Sequence, residues 1–263
     1  VYLETTAASG FSIEPAELVK VLTSNTRVLF MNNPSNPTGC AMDRAQQEAI
    51  AGVLRRPEHE HVLVLSDEIY ERITYDGLEH VSFASLEGMR DRTITVNGFS
   101  KAFAMTGYRL GYIAAPKEFA KIAAKVQSQV TSCASSIAQH AALGALKSPK
   151  AYVDDKVVEL QAKRDKSMEL LMQIPDVVCP KPQGAFYLFP DISAYFGRKT
   201  PAGEALADSS AICMYLLDEF KVALVPGDAF GAPNCLRISY AATMENITDG
   251  VTKLGKCLQS LAK

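Results

Sequence analysis

No apolar run in this 263-residue chain approaches the roughly eighteen residues that a membrane-spanning helix needs, so no span is expected. There is also no lysine- and arginine-rich run that could track a phosphate backbone, and a net charge of −2 gives no support for nucleic-acid binding. None of the six cysteines (Cys40, Cys133, Cys179, Cys213, Cys235 and Cys257) forms a C-x-x-C pair. Far apart as they are, they read as reduced thiols, mostly in the core, in a reducing compartment. The four histidines, His59, His61, His80 and His140, form no metal constellation, and no metal is expected; His59 and His61 flank Glu60 in what reads as a solvated loop. Internal repeats and low-complexity segments are missing too. So is an initiating methionine: the chain opens on VYLETTAASGF, which reads as strand from its first residues, and the reading is of a fragment or a trimmed chain.

What is present is ordinary globular composition, 48% hydrophobic, enough for one large or two modest domains. Short apolar runs at 26–33, 61–68, 92–98 and 108–115 end in polar or small residues. Between the first two, MDRAQQEAIAGVLRR has helical spacing at Ala45, Ala49, Ile50, Val53 and Leu54. Pro116 opens a further helical stretch. Strands alternating with helices predict an α/β fold, a mostly parallel sheet with helices on both faces, whose ligands gather at the carboxyl ends of strands. A charged, helix-periodic stretch from about Ala151 to Met172 predicts a long connecting helix. Three β-like runs (GAFYLFP, KVALVPG and CLRISYA) separated by helical segments then predict a smaller α+β domain at the C-terminus. The expected boundaries are 1–146, 147–174 and 175–263.

The ends of the first four runs carry the chemistry. In NGFSKAFAMTGYRLGY, Lys101 stands in a segment of small and apolar residues, where desolvation favours the uncharged amine that attacks a carbonyl carbon. The plain alternative is a solvated surface lysine. Asp67, directly after the apolar VLVL, is expected to be partly buried and to need a cation, either a protonated ring nitrogen or a neighbouring arginine. Asn36 in NPSNPTG either caps a turn or donates to a phenolate oxygen, together with Tyr70. Ser100 and Arg109, the latter at the start of the fourth strand, offer donors to a phosphate. An aldehyde-bearing, phosphorylated pyridine with a ring hydroxyl satisfies all of these residues together.

Taken in order, NPSNPTG, SDEIYERITYDG, TVNGFSKAFAMTGYRLGY, QGAFYLF and VALVPGDAFG with CLRISYA resemble the fold type I pyridoxal phosphate aminotransferases of class I. The resemblance runs through essentially the whole chain. It is strongest to the prokaryotic-type aspartate aminotransferase branch, which includes plant and algal plastid enzymes that also accept prephenate. It implies that residues 1–146 form part of the large cofactor domain. The implied cofactor is pyridoxal 5'-phosphate, held by Asn36, Asp67, Tyr70, Ser100, Lys101 and Arg109, with Lys101, Asp67 and Tyr70 as catalytic residues. It further implies that Arg237 grips the substrate α-carboxylate, where a local carboxylate is the alternative partner. Asn36 also faces substrate, and Phe186 is a pocket wall, or else a core aromatic. Gly98 departs from relatives that carry a phosphate-binding serine there. Family members begin well upstream, with a glycine-rich phosphate loop and a ring-stacking aromatic, so this chain is expected to hold the cofactor weakly.

The function expected is transamination between aspartate or glutamate and a 2-oxo acid, with prephenate as a further acceptor, by a homodimer in the cytoplasm or plastid stroma. A β-lyase on the same scaffold and a non-catalytic ligand-binding domain are the alternatives.

Overall fold

In this computed structural model, which describes residues 1–262, the chain divides into two compact units. The first comprises residues 1–4, 13–34 and 41–157; the second comprises 5–12, 35–40 and 158–263. The first unit holds a four-stranded sheet in the order β1 (Val28–Asn32), β2 (Leu63–Asp67), β3 (Thr93–Gly98) and β4 (Gly111–Ala114). The first three strands are parallel and β4 is antiparallel to β3. Met31, Val64, Ser66, Thr93 and Thr95 are buried, and α1 (Pro15–Val21) and α2 (Arg44–Leu54) contribute Leu18, Ile50, Ala51, Val53 and Leu54 to the core. Each large apolar side chain so buried contributes about 1.5–3 kcal/mol. Val28 and Phe30 of β1 remain exposed, Phe30 at 64%.

Helix α2 begins where the sequence supplies a reciprocal cap: the Asp43 carboxylate accepts from the Gln46 amide, and the Gln46 side chain accepts from the Asp43 amide. Its buried face differs from the expected one. Ala45 and Ala49 face solvent while Gln47 is buried, because its amide nitrogen donates to the carbonyls of Met42 and Val81 and so satisfies its polar group. The opening residues also differ from expectation. Residues 1–6 form no strand, and the first element is a short 3-10 turn, Ala7–Ser9, closed by Gly10 at positive φ. After β4 come α3 (Lys117–Val130), with Ile122, Val126 and Val130 exposed on one stripe, α4 (Ser136–Lys147) and α5 (Ala151–Leu171).

The second unit contains the C-terminal part of α5 and a three-stranded antiparallel sheet in the order β5 (Tyr187–Leu188), β7 (Leu236–Ser239), β6 (Val225–Pro226). It also contains α6 (Ser209–Tyr215), which runs on into a π-helical turn at Leu216–Phe220, and α7 (Met244–Ser260). Helix α7 buries Ile247, Val251, Leu254 and Leu258, the i, i+4, i+7, i+11 stripe of an amphipathic helix. The strands are shorter than the apolar runs suggested.

Candidate active site

Strand ends in the first unit collect Asp67, Tyr70, Ser100, Lys101 and Arg109. Asp67 closes β2, and its Oδ1 accepts from the Ile69 amide at 3.1 Å. Burial pushes its pKa above the ordinary carboxylate value; the Ile69 bond opposes that shift, neighbouring Glu68 adds to it, and Lys101 relieves it. The carboxylate is therefore short of positive charge at the position where the sequence places it. Lys101 follows β3 on a turn, with Nζ 5.5 Å from the centroid of the buried Tyr70 ring. The lysine is half-buried rather than enclosed.

The loop after β3 folds back on itself. The Ala104 amide donates to Lys101 O, Met105 N to Phe99 O, and the Thr106 hydroxyl to Ser100 O at 3.1 Å. Phe99 and Met105 are buried against Ala142 of α4, which anchors the loop from below. Arg109 does not begin a strand. It caps the 3-10 turn Thr106–Tyr108 in the left-handed region (φ 49°), exposed, with Nη1 donating to Thr106 O at 2.9 Å. The sequence could not show this, since TGYR followed by an apolar run reads as strand until the turn closes.

Gly98 departs from relatives that carry a serine there, and the backbone around it leaves no room for one. A Cβ there would sit 2.9 Å from Leu110 O and 3.0 Å from Gly111 Cα, across the β3–β4 pairing. The glycine permits close strand approach, and no side-chain donor can replace it without moving β4.

Sequence reasoning missed the group behind Asp67. Glu68 is buried, and its Oε1 accepts from the hydroxyls of Ser66 and Ser82 and from the Phe83 amide, each at 3.0 Å. Its Oε2 lies 3.1 Å from His80 Nε2. Ligating atoms of Glu68, Glu71 and His80 lie within 4.8 Å of one another, a grouping absent from the histidine reading of the sequence. Four protein partners already occupy Glu68. His59 also departs from expectation. It is buried, not solvated, with both ring nitrogens unpartnered, while its carbonyl accepts from Arg92, which also reaches the carbonyls of Leu54 and Val62.

Burial opposes ionisation of Glu68, yet the hydrogen bond and charge of His80, with the Phe83 amide and Ser82, hold its pKa below the ordinary 4.5. A depressed carboxyl pKa contributes stability above its unfolded value and loses it as pH falls through the folded one. His80→Ala should therefore cost about 1.5–3 kcal/mol at neutral pH and move the acid limb of unfolding to higher pH. Thermal unfolding followed from neutral pH downward checks this, and an unchanged acid limb would refute it.

The second unit holds Asn36, Phe186 and Arg237. Asn36 is exposed on the loop Ser35–Cys40, closed by Gly39 N to Ser35 O and Ser35 N to Cys40 O, both 2.9 Å. Its Oδ1 accepts from Arg237 Nη1 at 2.9 Å. The Arg237 guanidinium lies 4.7 Å from the Tyr187 ring centroid and 5.0 Å from that of Phe230, and its Nε is buried without a partner. Aromatic faces and an amide oxygen orient a guanidinium without neutralising it, which leaves it available to an incoming anion. No local carboxylate pairs with it among the described residues. Phe186 is half-buried, its ring 4.8 Å from that of Tyr187.

Fold and donor set together define an α/β protein of the aminotransferase class. Residues 1–254 match the family "Aminotransferase class I and II", and the chain belongs to that family. It is 47% identical over 264 residues to a Petunia hybrida protein named bifunctional aspartate aminotransferase and glutamate/aspartate-prephenate aminotransferase, covering 99% of this chain and 55% of that protein. It is 45% identical to an aspartate aminotransferase of Pinus pinaster, covering 98% of this chain and 53% of that one. Among solved structures, the aspartate aminotransferase of Rhizobium meliloti superposes with a TM-score of 0.92 at 40% identity, over 98% of this chain and 64% of that one. The chain thus spans about half to two thirds of the length of the relatives it matches. No helix among the described residues is long and apolar enough to cross a membrane.

Proposed function

We propose that the chain serves pyridoxal phosphate-dependent transamination between aspartate or glutamate and a 2-oxo acid, with prephenate as a further amino acceptor. The observation that carries this reading is the placing of Asp67 and Lys101 just at and after the carboxyl ends of the neighbouring strands β2 and β3, near enough for the lysine's charge to oppose the rise that burial imposes on the carboxylate's pKa. That donor set fits a protonated pyridine bearing an aldehyde. The cofactor supplies, when bound, a carbonyl carbon for an amine and a ring that accepts an electron pair.

Lys101 Nζ is the amine, and in its free form it takes the substrate's α-proton and returns it. Asp67 keeps a proton on the ring nitrogen by placing negative charge beside it. The Tyr70 hydroxyl and the Asn36 amide are assigned to the ring oxygen, and Ser100 and Arg109 to the phosphate. Arg237 binds the α-carboxylate shared by all the substrates, with Asn36 and the Phe186 ring beside it in the substrate pocket. Assembly as a homodimer belongs to the same reading, and the exposed Ile122, Val126 and Val130 stripe supports it. The six free thiols support a reducing compartment, cytoplasm or plastid stroma. Names of relatives supply the substrate choice: aspartate and prephenate stand in them.

The test gives the native protein aspartate and 2-oxoglutarate with cofactor. Glutamate and oxaloacetate should form in equal amounts. Release of ammonia without glutamate would instead favour a lyase, and binding of cofactor without turnover would favour a ligand-binding role. Arg237→Ala should raise KM for every amino acid substrate by on the order of 10²-fold, as loss of a charged hydrogen-bonding partner implies. Unchanged KM values would remove Arg237 from the carboxylate role.

A further inference from the structure

We propose that Arg164, on α5, is a positioning residue for the Asn36–Arg237 carboxylate anchor, acting through Pro182 and Gly39. The inference rests on the reading of Arg237 as the carboxylate ligand.

Among the described residues, Arg164 is the largest side chain that is fully buried. Enclosing a guanidinium is expensive unless each edge has a partner, and its two edges are used differently. Nε and Nη2 meet Oδ1 of Asp165 at 2.9 and 2.7 Å, and Nη1 donates to Pro182 O at 3.0 Å. The Asp165 carboxylate is half-exposed, so the ion pair alone does not require burial of the arginine. The bond to Pro182 O, by contrast, is a buried one.

The irregular segment from Pro182 to Gly184 packs against Gly39. A Cβ on Gly39 would meet Pro182 Cβ at 2.7 Å and Tyr187 O at 2.5 Å, at a φ of +69°. The Gln183 and Gly184 amides both donate to Gly39 O at 2.9 Å. Gly39 in turn closes the loop that carries Asn36, and Asn36 Oδ1 receives Arg237 Nη1. Tyr187, whose carbonyl touches Gly39, also supplies a ring against which Arg237 lies. An unbroken series of contacts thus runs from Arg164 to the guanidinium, all of it inside the second unit. The separate nitrogens of a planar fork reach the Asp165 carboxylate and the Pro182 carbonyl in different directions, a span that the single nitrogen of a lysine lacks.

The experiment measures KM and kcat of the native enzyme for several amino acids in Arg164→Met, Arg164→Lys, Asn36→Ala and the Arg164→Met/Asn36→Ala double variant, with Arg237→Lys alongside. The expected result is a KM raised about tenfold for all substrates in Arg164→Met with kcat within about twofold, since a small displacement of an anchor carries an effect of that size. Arg164→Lys should fall between parent and Arg164→Met. In the double variant the effects should not add, because both act on one anchor. A lowered melting temperature with KM unchanged, or additive effects, would overturn the proposal. Should Arg164→Met fail to fold, Arg164→Lys decides alone: a KM equal to the parent's overturns it. An unchanged KM in Arg237→Lys marks failure of the carboxylate reading itself, whereas a raised KM there with unchanged Arg164 variants marks failure of the positioning role only.

Discussion

Lys101→Ala is expected to abolish turnover, a loss of at least on the order of 10⁴-fold, because the proposed reaction makes one nitrogen both nucleophile and proton carrier. The proposed phosphate ligands Ser100 and Arg109 are separate side chains of the same loop, and the loop's closing bonds are backbone to backbone or made by Thr106 and Arg109. The variant should therefore keep its fold and retain cofactor, now without a covalent link. Borohydride treatment of the parent followed by peptide mapping reads this directly. A pyridoxyl group should be fixed on Lys101 and be absent from the variant. Its appearance on any other lysine, or turnover within tenfold of the parent, would overturn the assignment of the nucleophile.

Asp67→Asn should lower the rate on the order of 10³-fold, the size seen when one preorganised charge-stabilising group is removed, and should at the same time stabilise the cofactor-free protein. The second effect follows from the sign of the Asp67 shift. Its folded pKa lies above the ordinary 3.8, chiefly through burial. The folded state therefore binds this proton more tightly than the unfolded one. Stability is lost as pH rises from the ordinary value through the folded value, and the loss is complete above it. Asparagine removes that cost and can still accept the Ile69 amide. A gain on the order of 0.5–2 kcal/mol at neutral pH, typical of replacing a strained functional group, should vanish below about pH 3, where both forms are neutral. Thermal unfolding at the two pH values, without cofactor, makes the comparison. A variant less stable than the parent at neutral pH would contradict the assigned environment.

The placement of Asp67 and Lys101 at or just after strand ends was legible without coordinates. Asp67 after VLVL, and Lys101 after TITVNGFS, stand where an alternation of apolar runs and helical stretches puts functional groups. Asn36 and Arg237 were legible as residues but not as a pair, because a hydrogen bond across 201 positions leaves no local trace. Arg109 was misplaced because its backbone lies in the left-handed region, which an arginine does not announce. His59 was read as solvated from the charged residues around it, whereas Arg92, thirty-three positions on, draws its carbonyl inward. Glu68 and Arg164 show the general difficulty. A charged side chain reads as surface until its buried partners are known, and those partners (Ser82, Phe83 and His80 in one case, Pro182 in the other) come from distant or irregular segments. Helix α2 shows the same effect in miniature, since a glutamine with two carbonyl partners displaced alanines from the expected face.

The loop Ser35–Cys40 belongs to a unit whose other parts lie mostly beyond residue 157. A ribosome finishes that loop long before it reaches Pro182, Tyr187 or Arg237. At synthesis rates of roughly 5–20 residues per second, the 201 positions separating Asn36 from Arg237 amount to about 10–40 s. For that interval the nascent chain can assemble β1 to β3 around their core while NPSNPTG waits, exposed, for the partners that give it shape. The time order of translation therefore runs opposite to the spatial order of the anchor: the first residue made is among the last to be seated.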